Sequence, residues 1–379
     1  MTSPRVEIDL GKIKANARYL VRRLGDRGIS VTGVTKAVCG HPDVAEAMLD
    51  GGVVGLADAR IANLFRMRTA GITCPISMIR APMLSEMEGV IQNCDASYNT
   101  EMDTILKLGA AAKQQGMSHG VILMVEMGDM REGVMPENLD EFAARVIATP
   151  GVALKGIAAN FACMDNVAPT AGDMAMLSRM ADQIEGACGP FVELVSGGGS
   201  ANLPWALGEG SSGRVNNLRL GEAILLGTDP VTGHPISGLH TDAFALFAEV
   251  IETRDKPSSI PPAPIAPELG KPYLVPNDDY TARTILAVGQ QDTDLSGLTF
   301  PSGFRFIGAT SDHAVVDTTK SAVSVGSVGS VGSEMKMGMN YSALMRAMSA
   351  PDVAKTVHGK QKMNGGVKDC ETQPYLTLV

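Results

Sequence analysis

Eight short apolar runs, most of them separated by segments of helical periodicity, constrain this chain more than any other feature. The runs cover residues 31–36, 53–57, 76–80, 96–99, 120–126, 154–160, 191–196 and 215–219. Helical spacing marks 42–50, 61–70, 102–115, 139–148 and 171–188 between them;. Strand–helix alternation repeated eight times predicts a closed parallel (β/α)8 TIM barrel, with a doubly wound open sheet as the alternative on pattern alone.

After about residue 241 the pattern turns β-rich, with runs at 243–251, 284–288, 305–307 and 314–317. The division expected is a barrel over 1–235, a C-terminal β-rich domain over 236–360 and a polar tail over 361–379. Residues 5–9 are expected to form a strand pairing with the β domain, and 11–24 a helix leading into the barrel. The Pro-rich stretch 256–267 reads as an exposed loop, and 324–333 (SVGSVGSVGS) as a hairpin or loop;. A helix is expected over 341–348.

Net charge is −9 with no dense Lys/Arg cluster, which argues against nucleic acid or an anionic membrane as partner;. No run of about 18 apolar residues predicts a membrane span. The early charges of residues 1–10 lack the apolar stretch of a signal peptide. The 6 cysteines are scattered without CxxC or metal spacing, so reduced thiols in a cytoplasmic protein are expected, and no metal;.

A barrel enzyme works at the C-terminal ends of its strands. The first run ends in Lys36, where desolvation would lower an amine as a Schiff-base nucleophile requires; a surface cation is the plainer reading. The seventh ends in Ser196-Gly197-Gly198-Gly199-Ser200, either an anion cradle of backbone N–H groups or a flexible turn. The eighth ends in Arg219-Leu220-Gly221-Glu222, and loops after strands seven and eight are the usual phosphate site of this fold. Arg131, after the fifth run, could reach a carboxylate or cofactor oxygen, or be a solvated charge. Asn160, closing the sixth, could support a cofactor or cap a turn. Cys163 has no histidine near it in sequence and is not read as a nucleophile.

Nine segments in order resemble one family. They are EIDLGKIKANARYL (7–20), VTKAVCG (34–40), ADARIANL (57–64), VEMGDMREGV (125–134), GIAANFACMDNVAPT (156–170), SGGGSANL (196–203), LRLGEAILLG (218–227), RTILAVGQQD (283–292) and GATSDHAVVD (308–317). The chain resembles the alanine-racemase-like pyridoxal-phosphate enzymes, and within them the ornithine-racemase branch. The resemblance implies pyridoxal 5′-phosphate, Lys36 as Schiff-base lysine and acid/base, and Arg219 against the pyridine nitrogen. It implies Ser200 and the backbone of Gly221 and Glu222 at the phosphate. It also implies a homodimer in which each site is completed by the partner.

Racemisation needs a proton donor or acceptor on both faces of Cα. Tyr273, Tyr280 and His313 are the candidates for the second group. Two family tyrosines are missing: Gly40 stands four residues after Lys36, and no phosphate-binding tyrosine follows Pro351. Ornithine or another basic amino acid is the substrate that the resemblance implies, with Glu132, Glu222 and Asp165 as carboxylates for a cationic side chain. Alternatives are an alanine or broad-specificity racemase, a decarboxylase, aldolase or dehydratase acting on D-amino acids, and a non-catalytic cofactor carrier.

Overall fold

The computed structural model describes residues 3–189, 191–257, 280–318 and 329–359. It falls into two compact units, one of Met1–Ile8 with Phe244–Thr356, the other of Asp9–Ala243 with Val357–Val379. The opening strand β1 (Arg5–Asp9) is followed by a helix, Leu10–Gly25, capped by the Asp9 side chain.

Eight strands then form the barrel: β2 (Ser30–Val34), β3 (Gly55–Asp58), β4 (Ile76–Met78), β5 (Ala96–Asn99), β6 (His119–Val125), β7 (Val152–Ala159), β8 (Leu194–Ser196) and β9 (Asn217–Leu220). They pair in sequence order and the barrel closes where β9 meets β2 in parallel. Covered on both faces, parallel strands carry near-continuous apolar runs, and every residue of β6 is buried;. Alternate β6 residues serve opposite faces. Val121, Leu123 and Val125 join Ile157 and Ala159 in a core with Leu177, Met180 and Ile184 of the helix Ala171–Cys188. Ile122 and Met124 pack instead with Ala96, Tyr98 and Ala158.

The other unit is one antiparallel sheet. Its strands are β10 (Phe244–Pro257), β11 (Tyr280–Leu286), β12 (Leu298–Thr299), β13 (Phe304–Ala309), β14 (Ala314–Thr318), β15 (Glu334–Met339) and β16 (Ala354–His358), with a helix Tyr341–Ser349. The order is β12-β15-β10-β11-β14-β13, and β1 pairs with β10 and β16, the pairing expected for residues 5–9.

All eight barrel runs are strands, and the five helical segments are helices. The differences have local causes. The strand expected to reach Lys36 stops at Val34, because the Thr35 carbonyl accepts the N–H groups of Val38 and Gly40 and turns the chain. The run expected from 191 starts pairing at Leu194, since the Glu185 side chain accepts the Val192 N–H at 2.8 Å. Lys256 and Pro257, expected in a loop, close β10 against Thr281 and Tyr280. β15 was not expected: its EMKMGM sequence lacks β-branched residues, and its place is decided by pairing between β10 and β12;. Most of the Ser-Val-Gly repeat, the Pro-rich segment beyond Pro257, and 360–379 lie outside the described residues.

Candidate active site

The strand ends of the barrel gather the groups that could do chemistry. Lys36 opens a 3-10 turn, Lys36–Val38, followed by Cys39 and Gly40 at φ 53° and 61°. A Cβ on Gly40 would stand 2.8 Å from the Cβ and carbonyl oxygen of Asn63. Both that contact and the left-handed backbone exclude a large side chain here, which explains the missing tyrosine. Lys36 reaches solvent, yet the surrounding walls exclude enough water to lower its ammonium below the usual lysine range. Arg131 and Arg219 push it further down and Asp58 pulls it up, whereas the Cys163 thiol, itself pushed up by burial, stays protonated near neutral pH. No hydrogen bond or ion pair engages its Nζ among the described residues.

Arg219 on β9 is 7 % exposed. Its Nη1 donates to Ser196 Oγ at 2.8 Å; its Nη2 donates to the Ala159 carbonyl at 2.9 Å and Asn160 Oδ1 at 2.8 Å. The guanidinium also lies 5.0 Å over the Tyr98 ring;. Ser196 donates in turn to Asn217 Oδ1, whose amide donates to Ser30 and Thr32. Every hydrogen-bond partner of this buried cation is neutral.

After β6 the chain forms a tight loop. Glu126 and Val134 close its ends through a backbone bond, and the Glu126 carboxylate accepts the N–H groups of Gly128 and Met130. A Cβ on Gly133 would come within 2.4 Å of the Glu126 nitrogen, so only glycine allows this closure. Asp129, buried at 4 % exposure, accepts the backbone N–H groups of Cys163 and Met164 and so staples the β6 loop to the β7 loop. Arg131 is exposed and bracketed by carboxylates, with Glu132 at 2.7 Å and Asp129 at 3.6 Å. Glu132 accepts from Asn160 Nδ2 at 3.2 Å. A polar chain therefore runs Arg131–Glu132–Asn160–Arg219.

Between β8 and β9 lies the glycine loop. Gly198 has φ +95°, and its Cβ would meet Phe161 at 3.1 Å. The N–H groups of Gly198, Gly199 and Gly221 find no acceptor among the described residues. Ser200 Oγ accepts from Ala223 N at 3.2 Å, which leaves its own proton to donate;. Buried backbone donors are normally satisfied, so the open N–H groups of this loop and of Gly221 after β9 could take an anion. An amine, an anion cradle and a buried cation at one barrel mouth fit a phosphate-bearing aldehyde cofactor with a basic ring nitrogen.

Glu222 lies half-buried, and its carboxyl is pushed up to about 7 by desolvation and Asp229, against a downward pull from Lys36. A carboxyl raised on folding favours the native state below its unfolded value of 4.5, and that stabilisation is lost as pH rises to about 7;. Glu222→Gln should therefore raise the melting temperature by a margin that grows from pH 4.5 to 7 and is flat above, read by calorimetry on cofactor-free protein.

The structure brings Lys36, Arg131, Asn160, Ser196, Gly198, Gly199, Ser200, Arg219, Gly221 and Glu222 to strand ends of one barrel. Asp165 is exposed and accepts the Val167 N–H. His313 lies in the β-rich unit, in the exposed turn between β13 and β14, held by Thr310. Tyr280 opens β11, and Tyr273 lies outside the described residues. Sequence reasoning missed Asp58, Asp129, Tyr98 and Asn217. Asp129 was the most findable, two residues before Arg131.

Residues 8–229 match the family model described as alanine racemase, N-terminal domain. The chain is 35 % identical over 361 residues to a lysine racemase of Thermotoga maritima, covering 94 % of this chain and 98 % of that one. It is 32 % identical over 357 residues to an ornithine racemase of Acetoanaerobium sticklandii, with 93 % and 99 % covered. Its fold resembles alanine racemase from Streptomyces lavendulae (TM-score 0.72, 19 % identity, 95 % and 99 % covered) and D-threonine aldolase from Filomicrobium marinum (TM-score 0.70, 16 % identity, 92 % and 89 % covered). No helix among the described residues is long and apolar enough to cross a membrane.

Proposed function

We propose, from the premise that this chain belongs to the alanine racemase family, that it interconverts the L and D forms of a free basic amino acid such as ornithine or lysine. The carrying observation is the unpaired amine of Lys36 sharing one barrel mouth with the buried, neutrally partnered guanidinium of Arg219.

Pyridoxal 5′-phosphate is the cofactor, and when bound it supplies the electron sink that acidifies the substrate Cα–H. Lys36 would carry it. Ser200 and the N–H groups of Gly198, Gly199, Gly221 and Glu222 would hold the phosphate, and Arg219 the ring nitrogen, with Ser196 and Asn160 fixing the guanidinium. Arg219 cannot hand over its proton, so it keeps that sink weak, which suits inversion over bond cleavage elsewhere. Arg131 would meet a cofactor oxygen or the substrate carboxylate. Lys36 Nζ, with its ammonium lowered, takes or returns the Cα proton on one face;. The other face falls to a second copy in a homodimer, through Tyr273 or His313 of the partner subunit. Cys94, Cys163 and Cys188, outside any disulfide among the described residues, support a cytoplasmic setting;.

The preference for a basic substrate is supported by charge at the mouth. Beside Arg131 stand two carboxylates, Asp129 and Glu132, so this stretch of the rim is locally negative and could meet a cationic side chain. Glu132→Gln should raise KM for ornithine or lysine about tenfold while changing that for a neutral amino acid less than about twofold, a difference of about 1.4 kcal/mol.

Incubation of the holoprotein in D2O with L-ornithine, L-lysine and L-alanine tests the reading. Loss of the α-proton NMR signal with appearance of the D form is the expected result for the basic substrates. Absence of exchange with every amino acid would sink the activity.

A further inference from the structure

Asp58 ends β3 with no solvent exposure and has no part in the roles assigned above. Its Oδ1 accepts the backbone N–H of Ala59 at 2.7 Å, that of Arg60 at 3.1 Å and the Asn63 amide at 2.9 Å. Its Oδ2 accepts the Thr35 hydroxyl at 2.7 Å. The two backbone bonds make an ordinary turn after a strand. Of the two side-chain bonds, one goes to Thr35 at the start of the turn that carries Lys36, the other to Asn63, which packs against Gly40 at its far end.

Thr35 immediately precedes Lys36 and is fully buried. Its carbonyl accepts from Val38 at 3.0 Å and Gly40 at 3.2 Å, which closes that turn. At the far end Gly40 packs against Asn63, the other side chain that Asp58 holds. Arg66 completes the set, donating to Asn63 Oδ1 at 3.3 Å and to the Cys39 carbonyl. Asp58 is thus the hub of a clamp on residues 35–40. Burial pushes the Asp58 carboxyl up from its ordinary value, and the donors of Thr35, Asn63, Arg60 and Ala59 pull it back down;.

We propose that Asp58 is the positioning residue of Lys36, its buried carboxylate fixing the turn of residues 35–40 directly at Thr35 and, through Asn63, at Gly40. The charged or titratable groups that act on Lys36 come from several strand ends: Asp58 after β2 and β3 meet, Arg131 after β6, Cys163 after β7, Arg219 and Glu222 at β9. Asp58 is the member of that set with no exposure, and it raises the Lys36 amine by less than Arg131 and Arg219 lower it.

The proposal rests on Lys36 being the cofactor lysine, and its test separates the two. Full-length protein freed of cofactor is labelled with acetic anhydride across a pH series, and mass spectrometry of the Lys36 peptide gives the midpoint of its amine. Asp58→Asn should lower that midpoint and cut kcat about tenfold, with KM within about twofold. Thr35→Val keeps the charge, so it should leave the midpoint in place while lowering kcat, and Thr35→Ser should restore kcat. Wild-type kcat in folded Asp58→Asn protein overturns the proposal. Should that variant not fold, Thr35→Val decides: kcat equal to wild type overturns the clamp, and a loss rescued by Thr35→Ser supports it. Wild-type protein inert toward every amino acid would remove the racemase reading, while the labelling midpoints would still show whether Asp58 acts on the Lys36 amine.

Discussion

Lys36→Ala protein racemises nothing measurable and no longer holds its cofactor covalently. Loss of proton transfer on one face of Cα alone is worth about 10²–10⁴-fold, and loss of the attachment point adds to it. The fold should survive. Lys36 reaches solvent, and no hydrogen bond or ion pair among the described residues depends on its Nζ. Borohydride reduction followed by mass spectrometry reads the linkage directly, with wild type gaining a pyridoxyl group at Lys36 and the variant gaining none. Turnover within tenfold of wild type in the variant would falsify the assignment.

Arg219→Lys is the second large effect, although charge is conserved. The guanidinium holds Ser196, the Ala159 carbonyl and Asn160 at once while lying over Tyr98. An ammonium on a shorter, round-headed chain cannot reproduce that fork, and it can surrender its proton. We expect about a 10²-fold fall in kcat. Slow side reactions of the substrate should also accumulate, because the sink is no longer kept weak. Chiral chromatography with analysis of keto-acid and amine products measures both. A variant that races as wild type and yields no by-products would place the ring-nitrogen contact elsewhere.

The barrel was legible because its strands are short, apolar and regularly spaced, and its helices carry plain periodicity. Lys36 and Arg219 stood out because each ends an apolar run in the sequence, although β2 stops at Val34 and β9 runs on to Leu220;. Asp58 also closes a strand, yet its sequence signal is a lone carboxylate before a helix, which usually means a turn. Only the three-dimensional neighbours, Thr35 and Asn63 from separate segments, show where its bonds go. Asn217 escaped for the same reason, since its role arises from pairing with β2 and β8, across nearly the whole barrel sequence. β15 lacked a signal of its own, being a Met-rich strand held by its neighbours.

The staple at Asp129 has an evolutionary consequence. Because one buried carboxylate accepts two N–H groups from the following loop, the segments after β6 and β7 cannot diverge separately. A lengthened or transplanted β6 loop leaves Cys163 and Met164 without their acceptor unless the second loop changes with it. Redesign of specificity at this rim, in nature or the laboratory, has to exchange the two segments as a single cassette.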